Sequence, residues 1–109
     1  MVTHEDKVFK ALADGSRRKL LDRLRKKHGL SLGQLCQEHD MSRQAVTKHL
    51  ALLKAANLVV TMKRGREKLH YLNPTPINDI YMRWIGQFEQ KRLNALYNLK
   101  RALEENGHD

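Results

Sequence analysis

Between Ser42 and Val59 the chain reads SRQAVTKHLALLKAANLV, and the polar face of the helix it predicts carries Arg43, Gln44, Thr47, Lys48 and Lys54 with no acidic residue among them. These side chains suit the groove of a nucleic acid. Gln44 can bond adenine through two hydrogen bonds, Arg43 can reach guanine or a phosphate, and Thr47 can meet a base edge or a thymine methyl. Lys48 and Lys54 suit phosphates, which position a protein without specifying sequence. His49 is either a histidine satisfied beside the core or a phosphate contact. Ser42, which opens the helix, completes the candidate set on this element.

A second cluster follows at Lys63, Arg64, Arg66 and Lys68, with only Glu67 against it. Such a tip can lie along phosphates or place an arginine in a narrow minor groove, where the negative potential is strongest. A charged tip can also serve only to keep a strand edge from pairing. Its place directly behind a basic, acid-free helix favours nucleic acid.

Other constellations fall short. Cys36 and His39 stand three residues apart and could share a metal, but a structural zinc needs four ligands and a catalytic one needs three plus water. No Cys-x-x-Cys or His-Glu-x-x-His occurs. No third group orients the pair as a nucleophile. Neither a metal, a cofactor nor a catalytic residue is expected, and the chain is read as no enzyme.

The elements that must hold these groups can be read from periodicity and caps. A first helix runs from His4 to Ala13 with Val8, Phe9 and Leu12 on its apolar stripe. Asp14, with Ser16 as rival, caps a second helix that buries Leu20, Leu21 and Leu24 and stops at Gly29; most of its seven bases read as a solvated face. Ser31 caps a short third helix that buries Leu32, Leu35 and Cys36. Ser42 caps the fourth, whose Val46, Leu50 and Leu53 recur at helical spacing and must face the core. Two short helices joined by a tight turn, the second basic, make a helix-turn-helix.

Asn57 can take the left-handed conformation that ends the fourth helix. Two alternating runs follow, the first setting Leu58, Val60 and Met62 against Val59, Thr61 and Lys63, and Gly65 between the runs supplies the positive φ of a hairpin turn. The hairpin is a wing. After NPTP no proline interrupts from Ile77 to Glu105, so one long helix is expected, with Ile80, Trp84, Ile85, Phe88, Leu96, Leu99 and Leu103 along its apolar face. At 1.5 Å per residue, ~25–28 residues span about 40 Å. That face needs a partner, which predicts a homodimer through this helix with Val8, Phe9 and Leu12 of the first helix beside it.

A length of 109 residues fits one domain, with the helix-turn-helix at 31–56, the wing at 58–73 and the dimerisation helix at 75–105. The fold class is mainly α with a small β-hairpin. A formal charge of +9 attracts nucleic acid or an anionic surface. The opening MVTHEDKVFK has no apolar segment to serve as a signal peptide, no run approaches the ~18–20 apolar residues of a membrane span, and a lone cysteine fits a reducing compartment. A cytoplasmic protein without a membrane partner is the expectation.

Three motifs resemble the ArsR-type winged-helix repressors. LADGSRRKLLDRL is similar to the Leu-Ala-Asp-Pro-Thr-Arg helix start of that family, with Gly15 where proline is usual. MSRQAVTKHLALLKAANLV resembles its Ser-Gln-x-x-Val-Ser-x-His-Leu segment, with Asn57 at the usual glycine, and KRGREKLHYLN resembles its wing. The resemblance implies a homodimer that binds an imperfect inverted repeat of double-stranded DNA in a promoter and represses until an effector releases it. Many relatives sense metal through a Cys-x-Cys pair on the third helix or through histidines and carboxylates on the last. Here the third helix has one Cys and no His lies between Ile77 and Gly107, so the usual metal sites are absent, and any regulation is expected through a small molecule at the dimer groove, through oxidation of Cys36, or through protein concentration alone. A winged helix docking on a protein or an RNA is the competing expectation.

Overall fold

In the computed structural model, which describes residues 2–106, each early helix begins at a side chain that supplies the hydrogen bond its first turn lacks. Helix α1 (His4–Leu12) opens on a capping box in which the Thr3 hydroxyl accepts from the Asp6 amide and Asp6 accepts from the Thr3 amide. Asp14, not Ser16, caps α2 (Gly15–Lys26), accepting from the Arg17 amide at 3.1 Å. Ser31 and Gln34 form a second capping box on α3 (Leu32–Glu38). Ser42 caps α4 (Arg43–Ala55), its hydroxyl accepting from the Ala45 amide at 3.1 Å.

The core lies among these helices and the base of the hairpin, where Val8, Leu20, Leu24, Leu35, Val46, Leu53 and Leu58 are all buried. Asn57 takes the expected left-handed turn, with φ of 60°. Strands β1 (Val59–Arg64) and β2 (Glu67–Leu72) pair antiparallel from Val59↔Leu72 to Arg64↔Glu67. Gly65, at φ 63°, provides the positive φ that a type II′ turn asks of its first residue. Leu30 bridges to His70 on the outer side of β2. Gly29 enters that bridge at φ 76°, and a Cβ there would meet the Tyr71 hydroxyl at 3.1 Å.

Helix α5 (Thr75–Tyr81) passes into a π-helical stretch, Met82–Gly86, and then into α6 (Gln87–Asn106). The chain parts into two compact units between Ile77 and Asn78. No described side chain of the second unit is fully buried.

Four expectations are corrected here. The last helix is not uninterrupted α-helix, because the π-helical turn widens it inside the apolar run; such turns arise where one more residue than the α-repeat needs is accommodated. Val8 is 1% exposed, facing the core of its own unit, and so has no surface to offer a partner; Phe9 is exposed and Leu12 half-buried. In β1 the alternation holds only from Val59, which is buried with Thr61 half-buried while Val60 and Met62 are exposed, so the buried Leu58 does not share a face with Val60 and Met62. Leu58 still belongs to the turn after α4, and the hairpin then runs out beyond the core. On α3 only Leu35 is buried, with Leu32 and Cys36 half-buried, because a seven-residue helix turns little of its surface inward.

Candidate nucleic-acid interface

The phase of α4 is set by Val46, Leu50 and Leu53, which are buried and so hold the opposite face outward. On that outer face Arg43, Gln44, Thr47, Lys48 and Lys54 are exposed. The Thr47 hydroxyl donates to the Arg43 carbonyl at 2.8 Å, which uses the donor within the helix. Ser42 is likewise engaged as the cap, so its hydroxyl orients the helix start.

Two depressions meet along this face. One, of about 570 Å³, lies between α4 and the hairpin and is lined by Arg43, Thr47 and Lys54 on one side and Arg66, Glu67, Lys68 and His70 on the other. The second, of about 520 Å³, is a shelf formed by Arg43, Gln44, Thr47 and Lys48. Arg43 and Thr47 line both, so the helix and the hairpin present one continuous surface. Lys63 and Arg64 line neither depression; they stand on β1 across from Lys68 and Glu67. Lys63 directly opposite Lys68 is a like-charge cross-strand pair, which is unfavourable until an anion lies against it.

The charge is placed accordingly. Sixteen of the 21 Lys and Arg, but only seven of the 12 Asp and Glu, precede Asn78, so the first unit carries the whole formal charge of +9.

Sequence reasoning missed several supports of this surface. His70 is buried, and its Nδ1 donates to the Leu30 carbonyl at 2.8 Å, pinning β2 to the segment ahead of α3. Burial pushes its pKa below the ordinary 6.5; the Leu30 carbonyl opposes that shift, and Lys54 and Lys68 add to it. Leu32 and Gly33 of α3 line the groove as well. Arg17 and Arg18, read from sequence as solvated, cap α1: Arg17 Nε and Nη2 donate to the Ala11 and Lys10 carbonyls at 2.8 and 3.0 Å, and Arg18 Nη1 donates to Leu12 at 2.6 Å. The Asp-x-x-Arg spacing signals only the contact of Arg17 with Asp14 itself, at 4.0 Å. His49 is half-buried and accepts from Arg17 Nη1 at 3.3 Å. Arg23 of α2 holds Glu38 through Nε and Nη2, and that hydrogen bonding keeps the Glu38 carboxyl below its usual range. Among the described residues no three His, Cys, Asp or Glu converge as a metal site.

A helix-turn-helix domain family matches residues 12–61, from the end of α1 into β1. The chain is 35% identical over 88 residues to the HTH-type transcriptional regulator YuzN of Bacillus subtilis, covering 75% of this chain and 96% of that protein. It is 33% identical over 89 residues to the transcriptional repressor SdpR of the same organism, covering 82% and 97%. The solved ArsR-like transcriptional regulator from Rhodococcus sp. RHA1 superposes with a TM-score of 0.68 at 32% identity, covering 88% of this chain and 92% of that one. The chain belongs to the ArsR-type winged helix-turn-helix regulators. The regulator is thus a DNA-binding transcription factor, and its relatives are regulators and not enzymes. No helix among its described residues is long and apolar enough to cross a membrane.

Proposed function

We propose that this regulator binds an imperfect inverted repeat in promoter DNA as a homodimer and represses transcription there, in the cytoplasm and without a metal or cofactor. The observation that carries the reading is the exposed, acid-free face of α4 beside a basic hairpin. Arg43 and Gln44 read base edges, and Thr47, with its hydroxyl turned back to its own helix, meets a thymine methyl. Lys48, Lys54, Lys63, Arg64, Arg66 and Lys68 neutralise phosphates. Residues 1–109 act as one DNA-binding module, with the helix-turn-helix at 31–56, the wing at 58–73 and the dimerisation helix at 75–105.

Dimerisation is supported by an apolar run that its own unit leaves uncovered: Trp84 and Ile85 are about half exposed and Phe88 is 73% exposed. Leu96, Leu99 and Leu103 continue the exposed run, with Ile80 half-buried at its start. Phe9 and Leu12 of α1 join them in the proposed interface. Repression is supported by the likeness to SdpR. Any inducer is expected to be a small molecule held in the groove between two copies.

The test is a binding titration on the DNA upstream of the regulator's own gene, with and without random competitor. Retention on an inverted repeat against excess competitor is the expected result. Binding that competitor abolishes, or preference for RNA, would replace this reading with that of an interaction module.

A further inference from the structure

The side chain of Arg17 is only 13% exposed, although it belongs to the most basic helix of the chain. All three of its nitrogens are committed. Nε and Nη2 hold the Ala11 and Lys10 carbonyls at the end of α1, the second of which also accepts from the Ala13 amide, while Nη1 lies 3.3 Å from His49 Nδ1 and 4.0 Å from Asp14 Oδ2.

Its contact with His49 has a chemical consequence. A guanidinium has donors only, so His49 Nδ1 is the acceptor and the ring proton resides on Nε2. His49 follows Lys48 on α4, at the flank between the outer face and the buried Leu50. A half-buried imidazole at that flank, held by one nitrogen, offers the other as an N–H donor in a fixed orientation.

We propose that Arg17 is a positioning residue for DNA binding: it fixes His49 as a neutral imidazole whose Nε2–H donates to a backbone phosphate beside Lys48. The inference rests on the reading of α4 as the DNA-contacting helix. Arg17 thereby joins the end of α1 to the helix that meets DNA.

The experiment is a titration of operator and random DNA with the full-length wild type, Arg17→Lys, His49→Ala, His49→Gln and the Arg17→Lys/His49→Gln double variant, each over a range of salt. Losing a hydrogen bond to a charged group should weaken Arg17→Lys and His49→Ala about 10-fold on both DNAs. Because the donor is neutral, neither should change the salt slope, whereas loss of a cationic contact lowers it by about one. Glutamine carries its N–H at nearly the reach of Nε2 without needing a tautomer fixed, so His49→Gln should recover most of what His49→Ala loses, and Arg17→Lys should have no further effect in its background. Nitrogen-15 NMR of the free protein should find the His49 proton on Nε2. Equal losses from Arg17→Lys in the wild-type and His49→Gln proteins, a slope reduced by one, or a proton on Nδ1 would each overturn the inference alone. Failure of the wild type to bind DNA would overturn the reading of α4 with it.

Discussion

The two units of the regulator invert each other's chemistry. Among the described residues, those up to Ile77 bury fourteen apolar side chains in a core and those from Asn78 onward bury none, while in the sequence the first stretch carries the whole net charge and the second has five basic and five acidic residues. The first unit therefore has an inside of its own and an outside suited to a polyanion. The second has an exposed apolar run, which in the proposed function is covered by another copy. On the proposed reading, the first unit carries its own core and the second is completed by assembly.

The largest break in that comparison is expected from Leu96→Asp, which places a charge in the apolar run. The variant should sediment as a monomer with the first unit still folded by NMR, and its operator affinity should fall ~10²–10⁴-fold, because two linked contacts become independent ones. Wild type that is already monomeric at micromolar concentration, yet binds its operator tightly, would remove the role given to the second unit.

Within the first unit the effects should be smaller and should divide the outer face of α4. Gln44→Ala should weaken operator binding by about 1–3 kcal/mol and leave random DNA nearly unchanged, as loss of a base contact does. Lys48→Ala and Arg66→Ala should weaken both DNAs alike and lower the salt slope by about one each. Equal losses on both DNAs for Gln44→Ala would take base reading away from that residue.

Smaller again is the response of the first unit to acid. Burial depresses the pKa of His70, and of His39, so the neutral rings favour the folded state. That contribution is complete above the ordinary histidine value of 6.5 and is lost as pH falls below it toward the folded values, since the unfolded chain takes up protons first. Asp14 and Glu38, whose pKa values are lowered by the Arg17 amide and by Arg23 respectively, lose theirs only in the carboxylate range. Urea midpoints measured from pH 7.5 to 5.5 should fall, and the fall should be shallower in His70→Asn, whose amide can still donate to Leu30. An unchanged slope in that variant would contradict the assignment to His70.

Least of all is expected from metal. Zinc, copper or nickel at submicromolar free concentration should leave the protein–operator complex intact, for want of three converging ligands among the described residues. Release that disappears in Cys36→Ser or His39→Ala would establish a site there.

Where the sequence was legible, local rules decided the outcome. Ser31, Ser42 and Asp14 cap their helices because a short oxygen beside a free amide is a local bargain, and Val46, Leu50 and Leu53 lie inward because three residues at helical spacing leave no other choice. Asn57 and Gly65 announced their turns in the same way. Illegible features depended on residues remote in the chain. Nothing in the spacing of Arg17 points to the carbonyls of α1 or to His49, 32 residues away, and nothing in the alternation of Val60 and Met62 says where the core ends. The π-helical turn at Met82–Gly86 leaves a stripe that still reads as helical, which is why periodicity passed over it.

The central claim, that two copies of one basic face read one repeat, is tested most directly by hydroxyl-radical footprinting of the wild-type protein on its operator. Two protected patches related by a dyad, with centres about one duplex turn or ~34–36 Å apart, are the predicted result, and Arg66→Ala should thin the protection where the wing lies. A single unpaired patch, or uniform protection without a dyad, would contradict it.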